Sequence, residues 1–332
     1  MIVRDASQTR EIYRQAGEKG WVLPCLCSEN LTTSEAILAA AEEFRVEHGL
    51  KTVPVILAIT ARYTHRSQCA NYTATRDPDL GLKLFTRDAV ELGEYYKNVQ
   101  LMLHLDHIQH DLDLELLNGD LTDYASIMYD ASNLPLEQNI VKTAEFVRRR
   151  HNDILIEGAC DEIVDATGTQ HNAITTPERA EEYFNRTGAD LIVANLGTEH
   201  RASGKDLHYY GDAARAIKAR IGANIVLHGT SSVPNDTVRS LYADGVCKVN
   251  IWTALERDSS PALLDDMVRH ASKVGGPKAV EKLVADGYLT EKCATGEATA
   301  LTHFTTVYRQ DVIFDRMKKM VRDYLEMWYV CK

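Results

Sequence analysis

Short apolar runs rich in β-branched residues recur along the 332-residue chain, and stretches with helical spacing of apolar residues separate them. These runs begin at residues 21, 53, 99, 125, 153, 189, 223 and 246. Near-continuous apolar strands that alternate with helices are typical of a parallel sheet that helices cover on both faces. Eight such units in one chain of this length predict a closed (β/α)8 barrel.

An open, doubly wound sheet is the alternative, but no predicted strand is followed by the GxGxxG turn of a dinucleotide-binding fold. We expect the barrel to span residues 1–257. Residues 258–332 are expected to form a helical extension that packs on the barrel or on a partner subunit, because apolar residues recur near its end at helical spacing. These residues are Ile313, Met317, Met320, Tyr324 and Trp328.

Composition narrows the class of protein. The longest apolar run, VPVILAI, is too short to cross a bilayer, so we expect a cytoplasmic protein without membrane contact. The net charge of −11 argues against nucleic-acid binding, and an anionic small substrate would need a local cation. Seven scattered cysteines without paired CxxC sites indicate a reducing compartment and no disulfide framework.

Ionisable side chains follow the ends of several predicted strands. Asp106 and His107 end the third run, Glu157 ends the fifth, His200 follows the sixth and His228 ends the seventh. Because the carboxyl ends of barrel strands meet at one mouth, we expect these side chains to converge. Three histidines from separate strands, with space for water or substrate, match a catalytic zinc site. A lone strand-end histidine is more often structural, and His104 is therefore predicted to be a wall residue.

Two segments with small polar residues, HGTSS and NIWT, follow the last two predicted strands. Barrels often bind a phosphate group at this place. Gly229 permits the close approach of an anion, and Ser231 and Thr253 can donate hydroxyl hydrogen bonds. An ordinary turn after a strand is the alternative for either segment alone. The two segments together favour a phosphate site.

In combination, these motifs resemble the class II, metal-dependent ketose-bisphosphate aldolases, the family of fructose- and tagatose-bisphosphate aldolases. The resemblance covers roughly residues 20–257 and rests on segments that follow one another in the family's order. The segments are HLDH, SIMYDASNLPLEQNI, IEGA, TTPERAEEYFNRTGADLIVANLGTEH, IVLHGTSS and GVCKVNIWT. The resemblance implies a TIM barrel that forms a homodimer or homotetramer and holds one divalent metal per chain, commonly Zn²⁺.

The resemblance also implies a role for each matching residue. Asp106 would be the acid/base that handles the oxygen derived from the aldehyde. The implied metal ligands are His107, His200 and His228. The residues implied for the dihydroxyacetone phosphate half are Gly229, Ser231, Asn250 and Thr253. The implied reaction is reversible cleavage of a ketose phosphate, or of a related anionic sugar, into dihydroxyacetone phosphate and an aldehyde.

Several positions depart from the family pattern. Ala159 stands where the family has a second glutamate, and the loop that follows is shorter than usual. The mobile loop acid that exchanges the proton at the ketose carbon is therefore expected at Glu162 or Asp165. Arg201 replaces a glycine after the second metal-binding histidine, and Trp252 replaces an alanine or aspartate.

The arginine and the other departures point to a changed substrate. The planar guanidinium of Arg201 suits a carboxylate, sulfonate or phosphate, although it could instead pair with a neighbouring carboxylate. A metal-dependent sugar-phosphate isomerase or epimerase, and a non-catalytic sugar-phosphate-binding homologue, are the alternative functions. Asp106 favours the aldolase over the isomerase, because it is placed to take a hydroxyl proton. Three metal-binding histidines at one mouth oppose a non-catalytic protein.

Overall fold

The structure, a computed structural model, describes residues 1–162, 174–198, 208–230, 233 and 237–329. Four residues with predicted roles lie outside this part of the chain, namely Asp165, His200, Arg201 and Ser231. Their predicted roles therefore stay predictions.

Eight parallel strands, β2 to β9, close into a barrel through the pairing of β4 with β5. The strands of the sheet are β1 (Ile2–Val3), β2 (Leu23–Cys27), β3 (Val53–Thr60), β4 (Val99–Gln109), β5 (Ser126–Asp130), β6 (Leu155–Ala159), β7 (Leu191–Val193), β8 (Ile225–Leu227) and β9 (Val246–Ile251). Each barrel strand falls on one of the eight predicted apolar runs, and almost every residue in them is buried. The predicted (β/α)8 barrel is confirmed.

The short strand β1 was not predicted. It pairs in parallel with β4, with Ile2 opposite Leu101 and Val3 opposite Met102. The ammonium group of Met1 donates hydrogen bonds of 2.8 Å to the carbonyl oxygens of Gly93 and Val99. A strand of two residues is too short to produce a periodic pattern, and so the sequence carried no signal for it.

Helices surround the barrel. Within the described residues they are α1 (Ala6–Glu18), α2 (Leu31–Glu47), α3 (Gln68–Asn71), α4 (Pro78–Tyr95), α5 (Leu114–Asn118), α6 (Leu136–Arg150), α7 (Pro177–Thr187), α8 (Gly211–Ile221), α9 (Thr253–Arg269), α10 (Ala271–Gly275), α11 (Pro277–Ala285), α12 (Leu301–Phe304) and α13 (Thr306–Trp328). None of these helices is both long enough and apolar enough to span a bilayer.

The last helix, α13, packs against α2 and α9 on the outside of the barrel. Its buried residues include Met317 and Trp328, both from the predicted apolar stripe. The indole N–H of Trp328 donates a 3.0 Å hydrogen bond to the carbonyl oxygen of Val238, which ties the helix to the barrel. Because α9 continues through residue 257, the predicted division of the chain there falls within a helix, and that division stays a prediction.

Candidate metal centre and active site

A backbone irregularity brings Asp106 and His107 to the same side of β4. Neighbouring side chains of a regular strand point to opposite faces. Here the pairing of β4 with β5 shifts register between Leu105 and Ile108, and His107 adopts a φ of +49°. Such a bulge redirects a side chain, and it allows both residues to face the mouth of the barrel.

Asp106, His107 and His228 form one buried cluster at the carboxyl ends of β4 and β8. One potential ligand atom from each lies within 4.8 Å of the others. The Nε2 atom of His107 is 3.1 Å from Nδ1 of His228, and the two rings are nearly perpendicular, at 86°. Of the predicted strand-end residues that the structure describes, Asp106, His107 and His228 thus converge.

Asp130 orients His107 from behind. Its Oδ2 atom is 3.0 Å from Nδ1 of His107, and the side-chain amide of Gln109 donates to the same oxygen at 3.0 Å. Burial opposes ionisation of Asp130, but the hydrogen bond and charge of His107 outweigh burial and lower the pKa of Asp130. An ionised carboxylate only accepts hydrogen bonds, so Nδ1 of His107 donates to Asp130 and Nε2 is the nitrogen that faces the cluster.

Asp106 is held by its neighbours in the ionised form. The side-chain amide of Asn250 donates a 3.0 Å hydrogen bond to Oδ1, and Sγ of Cys27 lies 3.7 Å from Oδ2. Burial would raise the pKa of Asp106, but the nearby histidines, His107 foremost, hold it well below its usual range. A buried, ionised carboxylate beside the cluster can accept a proton from a bound hydroxyl group.

The donor set fits a divalent metal. Two imidazole nitrogens from different strands face each other, and a carboxylate stands beside them. The contact between Asp130 and His107 is the arrangement that commonly fixes a metal-binding histidine. Neutral imidazoles suit a borderline ion such as zinc. The third predicted ligand, His200, lies outside the described residues.

The aromatic ring of Tyr63 covers one face of His107. The two rings are nearly parallel, at 6°, with centroids 4.1 Å apart. Tyr63 follows β3 in a loop, and sequence reasoning did not single it out. It fixes the ring of His107 from a second direction, in addition to the hydrogen bond that Nδ1 donates to Asp130.

A fully buried ion pair lies beneath the cluster, inside the barrel. Lys248 Nζ is 2.8 Å from Oε1 of Glu157 and 3.2 Å from Nε2 of His104, which itself is 3.6 Å from Asp106 Oδ1. All three of these side chains, Lys248, Glu157 and His104, have no exposed surface. Glu157 was expected at the rim with the other strand-end residues, but it contacts Lys248 within the barrel. His104 is an interior wall residue, as predicted.

The cluster opens into a cleft of about 670 Å³ that Gly229, Asn250 and Thr253 also line. Gly229 has a φ of +64°, in the left-handed region that favours glycine. Thr253 begins α9, and the preceding residue, Trp252, makes no side-chain capping hydrogen bond to the first turn. The uncapped start of a long helix is a favourable place for a phosphate group.

The predicted loop acid Glu162 is an exposed residue beyond the end of β6. It lines a second cavity beside the cluster, together with Tyr63, His107 and Asp130. Its neighbour Asp161 is engaged elsewhere, in a 2.5 Å ion pair with Arg179 and a 2.7 Å hydrogen bond from Thr175. Ala159, at the place of the family's second glutamate, is buried in β6.

A barrel mouth that carries histidines, an ionised aspartate and a phosphate-type helix start is typical of metal-dependent barrel enzymes that act on phosphorylated substrates. The comparison with known families agrees. The family "Fructose-bisphosphate aldolase class-II" matches residues 7–327. The chain therefore belongs to the class II fructose-bisphosphate aldolases, a family of metal-dependent lyases.

Individual relatives are consistent with this membership. The chain is 27% identical to the D-tagatose-1,6-bisphosphate aldolase subunit GatY of Klebsiella oxytoca over 264 residues, which are 77% of this chain and 84% of that protein. The crystal structure of the fructose-bisphosphate aldolase Fba from Campylobacter jejuni matches with a TM-score of 0.73 at 16% identity. The match covers 98% of this chain and 95% of that structure. The crystal structure of the YdjI aldolase of Escherichia coli K12 matches with a TM-score of 0.66 at 17% identity. The match covers 99% of this chain and 97% of that structure. The two structures share the fold.

Proposed function

We propose that this protein catalyses the reversible aldol cleavage of a ketose phosphate into dihydroxyacetone phosphate and an aldehyde, with Zn²⁺ as its metal. The observation that carries the proposal is the position of Asp106. Its ionised carboxylate stands beside the imidazoles of His107 and His228 in the same cleft. An isomerase passes through the same enediolate but breaks no carbon–carbon bond. It therefore needs no base at the hydroxyl group from which an aldolase removes the proton during cleavage.

His107, His228 and the predicted ligand His200 would hold the metal. When bound, the metal supplies Lewis-acid stabilisation of negative charge that develops on the ketose oxygens. Asp106 accepts the proton of the hydroxyl group next to the breaking bond during cleavage and returns it during condensation. Asn250 keeps the Asp106 carboxylate in position through its 3.0 Å hydrogen bond.

The phosphate of the dihydroxyacetone half would lie at Gly229 and the first turn of α9, with hydroxyl hydrogen bonds from Thr253 and Ser231. Arg201 is proposed to contact the same phosphate. In a chain of net charge −11, a local cation offsets the repulsion of an anionic substrate. Glu162 or Asp165 is proposed to exchange the proton at the ketose carbon, and Glu162 is supported by its place in the cavity beside His107.

The test is metal analysis of the purified protein, followed by condensation assays of dihydroxyacetone phosphate with a panel of aldehydes. A divalent metal near one equivalent per chain and a ketose 1-phosphate product would support the proposal. Interconversion of sugar phosphates without carbon–carbon bond formation would favour an isomerase. Binding without turnover would favour a non-catalytic homologue. The proposed homodimer or homotetramer can be measured on the same sample by light scattering.

A further inference from the structure

Three side chains from adjacent strand ends contact one another at one side of the cleft, where Arg66 and Trp252 line it and Glu29 pairs with Arg66. Glu29 follows β2, Arg66 follows β3 and Trp252 follows β9, and these three strands are neighbours in the barrel. The guanidinium of Arg66 lies over the indole ring of Trp252, 4.3 Å from its centroid. It also forms a two-pronged ion pair with Glu29, in which Nε donates to Oε1 and Nη2 donates to Oε2 at 2.5 Å. We name these residues the Arg66 wall.

The Arg66 wall faces the part of the cleft that the phosphate half leaves open. The proposed phosphate site follows β8 and β9, whereas Asp106 stands on β4 and is contacted by Cys27 at the end of β2. Asp106 marks the place where the bond breaks. In the barrel, β2 and β3 lie between β9 and β4, so a substrate that reaches from the phosphate site to Asp106 passes the ends of β2 and β3. Arg66 lines the cleft there, and Trp252 adjoins it from the end of β9.

Charge at this wall is nearly balanced. Among the described residues that line the cleft, Arg66 is the only lysine or arginine. Glu29, which is 9% exposed, offsets its charge at contact distance, and Glu256 adds a further negative charge whose influence reaches Arg66. A phosphate placed against Arg66 would lie beside the Glu29 carboxylate, and like charges at this distance oppose binding.

The guanidinium of Arg66 can still donate a hydrogen bond to a ligand through Nη1. Glu29 occupies Nε and Nη2 of Arg66, and no described residue accepts a hydrogen bond from Nη1. The stacking on Trp252 and the ion pair fix the guanidinium plane, so that little conformational entropy is lost when Nη1 donates to a ligand. Ile251 and Ala254 add apolar surface to the same cleft.

We propose that the Arg66 wall selects an uncharged hydroxyaldehyde over a phosphorylated one, with Nη1 of Arg66 donating to a hydroxyl oxygen. This inference rests on the proposed aldolase function and refines it. The substrate of the cleavage reaction would then be a ketose 1-phosphate with a single phosphate group. Glu29 and Arg66 are specificity-determining residues in this proposal and take no part in proton transfer.

The experiment compares glyceraldehyde with glyceraldehyde 3-phosphate as the partner of dihydroxyacetone phosphate, using metal-loaded enzyme. We expect the wild type to give the higher kcat/KM with glyceraldehyde. The Glu29→Gln variant keeps the size of the side chain and removes its charge, so the ratio should move toward the phosphorylated aldehyde by about tenfold or more. The control is Glu42→Gln, which removes a carboxylate paired with Arg45 on α2 and should leave the ratio unchanged.

Two results would overturn the proposal: a wild-type preference for glyceraldehyde 3-phosphate, or an unchanged ratio in a folded Glu29→Gln protein. The double variant Glu29→Met with Arg66→Met removes both charges together, and it should lose discrimination between the two aldehydes even if the single variant folds poorly. Binding of both aldehydes to the Asp106→Asn protein, in which turnover should be about 100-fold or more slower, gives the selectivity apart from catalysis. Absence of product in the wild type would refute the aldolase function. The ratio of the affinities for the two aldehydes tests the selectivity independently of that result.

Discussion

The carboxylate of Asp130 lies 3.0 Å from Nδ1 of His107, on the side of the ring opposite His228. This contact determines which nitrogen of His107 faces the metal-binding cluster. Asp130 is itself fixed by the amide of Gln109 and by Ser132, which donates its hydroxyl to Oδ1 at 2.6 Å. The orientation of a candidate ligand on β4 thus depends on the end of the neighbouring strand β5.

Replacing Asp130 with alanine should weaken metal binding by about 10 to 100-fold, the usual effect of removing the partner that orients a metal-binding histidine. The measurement is competition with a chromophoric chelator. Asp123→Ala is the matched control, because this carboxylate pairs with Arg4 at the surface, away from the cluster. Unchanged affinity in the Asp130 variant would show that Tyr63 alone is sufficient to hold the ring.

Each of the variants His107→Ala, His200→Ala and His228→Ala should lose most of the bound metal, because each removes one of few ligands from a buried site. Metal content per chain, measured after gel filtration, tests this. His110→Ala provides the control, since that histidine lies beyond the end of β4 and contacts Asn133. Full stoichiometric metal in all three variants would require a different ligand set.

The substitution Asp106→Asn should leave the fold and the metal in place while lowering the rate of carbon–carbon cleavage by about 100-fold or more, the range of a positioned acid/base. Asparagine keeps the shape of the side chain, and its oxygen can still accept the hydrogen bond from Asn250. Cleavage rate and metal content should be measured on the same preparation. Near-normal cleavage would assign the proton transfer to another group, with Glu162 or Asp165 as the first candidates.

Removing Arg201, by Arg201→Gly, should lower the affinity for dihydroxyacetone phosphate with every aldehyde tested. A charge-assisted hydrogen bond contributes about 1.5–3 kcal/mol, which corresponds to roughly a 10 to 150-fold rise in KM. Steady-state kinetics with charged and neutral aldehydes provide the test. A loss confined to anionic aldehydes would place Arg201 at the aldehyde half and would count against the selectivity proposed for the Arg66 wall. No loss at all would make Arg201 a structural residue.

The sequence predicted the barrel and part of the cluster for the same physical reason. Parallel strands place their carboxyl ends at one mouth, so polar residues at the ends of apolar runs identify the site. Asp130 ends the run SIMYD, and the same rule could have found it. The stacking of Tyr63 on His107 could not be predicted, because it depends on the path of a loop. The Arg66 wall likewise joins three loops that are distant in sequence.

Glu157 shows where the strand-end rule fails. It precedes the end of β6 by two residues, which is enough to place its side chain inside the barrel instead of at the rim. The pattern of apolar residues does not mark that difference, because β6 is buried along its whole length. Lys248 gave no signal either, since a lysine in an apolar strand is ordinarily expected at a surface.

The ion pair of Lys248 with Glu157 leads to a prediction about stability. Burial opposes a charge on Lys248, but the acidic groups around it, including Glu157 and Asp106, raise the pKa of the ammonium overall. Removing one partner would leave an uncompensated charge at a site with no exposed surface. Lys248→Met should therefore lower the free energy of unfolding by about 3–5 kcal/mol, and the double variant with Glu157→Leu should recover much of the loss.

The measurement for this prediction is denaturant unfolding of metal-free protein, because metal binding would otherwise add to the stability. Lys282→Met removes an exposed pair with Asp286 and should change the free energy by less than about 0.5 kcal/mol. If Lys248→Met proved as stable as the wild type, Glu157 would have to be neutralised by protonation or hydrated inside the barrel.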